Sequence, residues 1–154
     1  MMSRGSLAAV ALMVLVGCTP KQPLKPSAPS LTATEQKLAR VLQDNGSPHP
    51  VELAKVVAKM KRPRLAAAQA IVESNGTPTA RGKAGEKGTW QIIEREWGPV
   101  PKDIQGQARQ YEEIMEELIK SSDGNLRKAL GKYNGDRSGK YARKVLSKVE
   151  KIKL

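Results

Sequence analysis

The stretch Leu65–Gln91 constrains this chain more than any other. It opens as an alanine-rich run, apolar nearly all round, that ends on a single acid, Glu73. Such a run predicts a buried helix, because no face is left for water. A carboxylate at the end of a buried helix is costly unless it is paired, opens onto a cleft or is protonated. Partial burial raises its pKa, which suits a general acid near neutral pH. Glu73 therefore has two readings, an acid at a cleft wall or a solvated residue at a helix end. Ser74, Asn75 and Gly76 follow, then a loop with Gly82, Gly85 and Gly88, and then Trp90-Gln91.

The 154 residues allow one domain plus a leader or tail. With no Phe, two Trp and three Tyr, the core must rest on Leu, Ile, Val and Ala. The formal charge of +12 implies an anionic partner: nucleic acid, a membrane surface or an anionic polymer such as cell wall. Zinc spacing and stacking-aromatic motifs are not evident, so nucleic acid is not the expected partner.

The N-terminus narrows the choice. Arg4 precedes an apolar run, Leu7 to Val16, too short for a lone membrane span and suited to a secretory signal. The run ends at Leu15-Val16-Gly17-Cys18, which resembles the lipobox of bacterial lipoproteins. That resemblance implies cleavage after residue 17 and lipidation of Cys18, a membrane anchor. The plainer reading is an ordinary signal peptide with an incidental cysteine. Thr19 lacks the aspartate that often retains such proteins at the inner membrane. The implied location is the cell envelope, at the outer membrane facing the periplasm. Residues 18–31 form a Pro/Ser-rich tether. A sole cysteine excludes an intrachain disulfide, and with the sole histidine, His49, it gives no persuasive transition-metal site.

Residues 32–154 form the folded domain, read as all-α. Thr32 and Glu35 have capping-box spacing ahead of Leu38, Val41 and Leu42, and that helix ends near Asn45-Gly46. His49 lies in a Pro-rich break and reads as a surface or capping residue. Val51–Met60 puts Leu53, Val56, Val57 and Met60 on one helical face. Pro63 suits the first turn of the next helix. A turn at Trp97–Pro101 leads to a long helix, Ile104–Ile119, with Ala108, Tyr111, Met115, Leu118 and Ile119 inward. Asn125 caps a helix leading to Tyr133, and Tyr141–Ile152 is a basic amphipathic last helix.

Four pieces of sequence carry a more specific resemblance. Glu73-Ser74 comes first, then Ala84-Gly85 with Gly88-Thr89-Trp90-Gln91-Ile92, then Lys132-Tyr133-Asn134-Gly135, then Tyr141 with Val145. In that order they are similar to the soluble lytic transglycosylases. The resemblance covers residues 50–151 and implies a lysozyme-like helical domain, with a glycine-rich active-site loop, that cleaves peptidoglycan glycan strands without a cofactor. It departs at four places. Glu86 stands for the family's Ala, Thr89-Trp90 for its Leu-Met, Gly82 for a frequent Ser, and Lys132 for an Ala.

The resemblance implies that Glu73 is the catalytic residue, acid and then base, with Ser74, Trp90, Gln91, Tyr133 and Asn134 on the substrate. Tyr133 would aim its hydroxyl at Glu73. Trp90 either stacks on a sugar face or plugs the core. Plainer roles are a capping Ser74, a surface Gln91 and a core Tyr133. A second carboxylate across the cleft, with Glu86 the one to watch, would favour hydrolysis. Two other functions fit the sequence: a non-catalytic peptidoglycan-binding lipoprotein and a basic helical protein on DNA or membrane.

Overall fold

The computed structural model describes residues 30–154. The leader, Cys18 and the tether as far as Pro29 lie outside the described residues. The described residues are mostly helical, with one two-stranded sheet. Helices α1 (Ala33–Asp44), α2 (Pro50–Val57) and α3 (Pro63–Ser74) come first. Strands β1 (Glu86–Lys87) and β2 (Ile92–Ile93) and the short α4 (Glu94–Trp97) follow. Helices α5 (Ile104–Lys120), α6 (Leu126–Asn134) and α7 (Lys140–Lys151) complete the chain.

Local chemistry sets most helix ends. The Thr32 hydroxyl accepts from Glu35 N–H, and the Glu35 carboxylate accepts from Thr32 N–H, closing the expected box. Asn125 caps α6 through Lys128 N–H at 3.0 Å. Asp103 caps α5 in the same way through Gly106 N–H at 2.7 Å, without having been foreseen from the sequence. Helix α2 stops at Val57, short of the expected Met60, where a turn carries the chain into Pro63.

Helix α3 is the axis of the core. Every residue from Leu65 to Ile71 is buried, Gln69 included. It packs against α7, α2 and α1. Its C-terminus turns on Asn75, which takes a left-handed φ of 53°. That conformation is tolerated by Asn and stops the helix. Glu73 is thus held one residue before the helix end, at the margin of the core.

The segment from Gly76 to Gln91 folds back over that helix end. Gly82 N–H donates to Glu86 O and Gly88 N–H to Ala80 O. The hairpin pairs Glu86 with Ile93 and Lys87 with Ile92. Gln107 on α5 pins the loop from below, accepting from Thr89 N–H and donating to Pro78 O and Pro101 O. Gly88 has a φ of 78°, and a Cβ there would lie 2.6 Å from Gln107 Oε1. Only glycine meets both demands.

Candidate active site

Four of the five aromatic residues gather behind Glu73. Trp90 stacks on Tyr111 with ring centroids 4.9 Å apart, and Tyr133 meets Tyr111 edge-on at 6.0 Å. Trp90 is 0% exposed, and its indole N–H donates to Ala66 O at 2.9 Å. Its ring has no face to offer a sugar, so the substrate-binding expectation for Trp90 is corrected to the core plug. A large ring with one polar atom satisfied inside is better placed there than in water.

The Glu73 carboxylate accepts a hydrogen bond from the hydroxyl of Tyr141, on α7. Tyr141 in turn accepts from Gln69 Nε2 at 3.0 Å, and Gln69 Oε1 accepts from the Tyr111 hydroxyl at 2.6 Å. The chain of donors runs one way, from Tyr111 through Gln69 and Tyr141 to Glu73. Burial raises the pKa of both tyrosines, so both stay protonated as donors. Burial also lifts the Glu73 carboxyl above its ordinary range. The Tyr141 hydrogen bond opposes that lift, the Glu86 charge adds to it, and Lys144 opposes it.

Tyr133 does not aim at Glu73. Its hydroxyl donates to Trp90 O at 2.6 Å, fixing the loop against α6. The expected role passes to Tyr141, one helix later. The Ser74 hydroxyl donates to Thr89 O at 2.7 Å and accepts from Thr77 N–H at 2.9 Å. It is a staple between α3 and the loop, with its proton committed there.

A cavity of about 120 Å³ lies over the carboxylate, lined by Glu73, Gly82, Glu86, Gln91, Tyr133 and Asn134 together with Ile93. The motif pieces from α3, the loop and α6 therefore meet. Gln91 holds a left-handed φ of 49°, steadied by its side-chain amide donating to Gly88 O at 3.0 Å. A non-glycine residue in that conformation costs about 1–3 kcal/mol, and such strain gathers at functional sites.

Glu86 is the second carboxylate of the cavity. One of its oxygens accepts from Ala84 N–H at 2.9 Å. A Cβ on Gly82 would collide with that same carboxylate. Two of the departures noted in the sequence are thus neighbours on the cavity wall, with the movable end of the Glu86 side chain resting over Gly82. Among the described residues no group of three His, Cys, Asp or Glu converges as a metal site.

Gln69 and Tyr141 are the site residues that sequence reasoning missed or undervalued. Gln69 had a signal. It is a polar residue in an apolar helix, four positions before Glu73 and hence on the same face. Compared with protein-family models, curated proteins and solved structures, the chain gives no match.

Proposed function

We propose that this chain is a peptidoglycan lytic transglycosylase with a lysozyme-like fold, acting on the β-1,4 bond between N-acetylmuramic acid and N-acetylglucosamine. The observation that carries the proposal is Glu73, a half-buried carboxyl with a raised pKa, aimed by Tyr141 at the margin of a cavity. A protonated carboxyl so placed can give its proton to the glycosidic oxygen as the bond to the muramic anomeric carbon breaks. Positive charge then develops on that carbon and is met by the acetamido oxygen of the same sugar. Glu73, now a carboxylate, takes the proton of the muramic 6-hydroxyl. The 6-oxygen closes on the anomeric carbon, giving a 1,6-anhydro ring and restoring the acid. The cavity is small beside the ~300 Å³ of a typical ligand pocket, so the strand would lie across its mouth. Gln91 and Asn134, on its wall, are the groups offered to the sugars. In this proposal the domain is held at the envelope by a lipid on Cys18.

Hydrolysis is the second reading, and Glu86 favours it. A carboxylate sharing the cavity with the acid can take a proton from an attacking water. Glu86 already spends one oxygen on its own loop, which leaves Glu73 as the better-placed proton carrier.

Digestion of purified sacculi, with mass analysis of the released fragments, tests both. Anhydro-ended fragments that persist in Glu86→Gln support the transglycosylase. Reducing ends that vanish in Glu86→Gln support the hydrolase. Glu73→Gln should abolish release while its circular dichroism matches the wild type. Normal release by that variant overturns the assignment of the acid.

A further inference from the structure

A cavity of about 630 Å³ is on the far side of α6 from Glu73. Its rim carries five cations, Arg127, Lys128, Lys132, Arg137 and Arg143, and one acid, Asp136. Asp136 is occupied internally, accepting from Ser138 N–H, the Ser138 hydroxyl and Tyr141 N–H. Lys132 reaches only neutral acceptors, Ser121 O and its hydroxyl. Among the described residues Arg127, Lys128, Arg137 and Arg143 make no ion pair, whereas Lys61, Arg62 and Lys87 each find a glutamate.

This concentration works against the fold. Lys128 and Lys132 are four apart on α6, where like charges repel. The floor is bare backbone at Gly131, Gly135 and Gly139. A Cβ on Gly131 would meet Asp136 O at 3.0 Å, so the small residue lets the α6–α7 turn close beneath the rim. A concave site with a glycine floor and an unneutralised cationic rim is complementary to an anion that enters it. No aromatic or large apolar side chain lines it, so it offers no aromatic platform for bases and no apolar group for insertion into a bilayer.

We propose that this cavity binds the carboxylates of the peptide stems carried by the glycan strand that lies at Glu73. The inference rests on the function proposed above and deepens it. The last turn of α6 separates the two cavities, with Tyr133 and Asn134 on one side and Lys132 and Gly135 on the other. A helix is about 10–12 Å across. A stem of about five extended residues spans roughly 17 Å, enough to cross from one cavity to the other. The strand is then gripped twice, by its sugars at the cleft and by its peptide acids behind α6.

Retention of the full chain on bead-immobilised glycan strands tests this, in a Glu73→Gln background so that the strands stay intact. Two substrates are compared at equal sugar loading, strands that keep their stems and strands stripped of stems by an amidase. Binding to stripped strands should be about tenfold weaker, the sum of a few exposed charge pairs. The triple variant Arg127→Gln, Arg137→Gln and Arg143→Gln should bind both alike. A control with the same charge change elsewhere, Lys37→Gln, Lys55→Gln and Lys59→Gln, should keep the difference. Equal binding of stem-bearing and stripped strands by the parent overturns the proposal. So does a control that loses the difference as fully as the triple variant, because general charge attraction then suffices. Tighter binding to DNA or anionic vesicles than to stem-bearing strands, abolished by the triple variant, overturns it in favour of another polyanion. Release by the chain with Glu73 intact separates the two claims. Cleavage of stripped strands without stem-dependent binding removes the stem site alone, and stem-dependent binding without any cleavage removes the proposed activity alone.

Discussion

Burial pushes the Glu73 carboxyl toward its neutral form while the Tyr141 hydroxyl, which bonds best to a carboxylate, pulls it back. The balance stays above the ordinary value of 4.5, the direction that the proposed general acid needs. Tyr141→Phe removes the lowering influence and keeps the ring. The Glu73 pKa then rises further. The proposed cleavage would need the protonated acid at its start, so on that reading the alkaline limb of the pH profile of kcat/KM should move to higher pH. A profile of muropeptide release measures it, and an unmoved limb would separate Tyr141 from the acid. Gln69 acts at one remove, holding Tyr141 by its amide N–H. Gln69→Leu should destabilise the fold by about 1–3 kcal/mol in urea unfolding, because two buried hydroxyls lose a partner. At this scale the sequence told half the story. It singled out Glu73 by its position on an apolar helix. It could not tell Tyr133 from Tyr141 as the partner, because both stand in motif positions and only the packing of α7 decides which reaches the carboxylate.

The loop between α3 and α4 carries no regular structure beyond the two-residue strands and one bridge, Arg81 to Lys87, yet it is tied at several points to the helices below. Trp90 is the anchor, stacked on α5 through Tyr111 and hydrogen-bonded to α3 through Ala66. Trp90→Ala empties the largest fully buried side-chain site. The expected loss is about 3–5 kcal/mol, read from the urea midpoint. A loss under about 1 kcal/mol would mean that the ring is dispensable to the core. The hairpin was invisible in the sequence because strands of two residues are too short to show alternation. The helices were legible because caps, prolines and four-residue spacing act over one or two turns, as with Thr32, Pro63 and Asn125.

Across the whole molecule the site and the stability of the fold are in tension. A carboxyl whose pKa is raised by folding favours the folded state fully only below its unfolded value. That contribution is lost as pH rises through the folded value. Glu73→Gln cannot ionise, and its amide oxygen can still accept from Tyr141. The variant should therefore melt at a higher temperature than the wild type at neutral pH. The gap should narrow on acidification and close well below 4.5. Thermal scans across pH test the sign, and a variant less stable at neutral pH would contradict the burial of the charge.

The long helices, several of their caps, the place of Glu73 at a helix end and the strongly basic character follow from the sequence alone, since each depends on neighbours a few residues away or on composition; the early stop of α2 at Val57 and the short α4 do not. The tertiary structure decided what the acid is bonded to, a tyrosine 68 positions further along the chain. It also decided that Trp90 is core, that Gly82 and Glu86 are neighbours on the cavity wall, and that five cations close on one cavity. These depend on which faces meet when α3, α5, α6 and α7 pack, and periodicity assigns a residue to a face without saying what that face will touch.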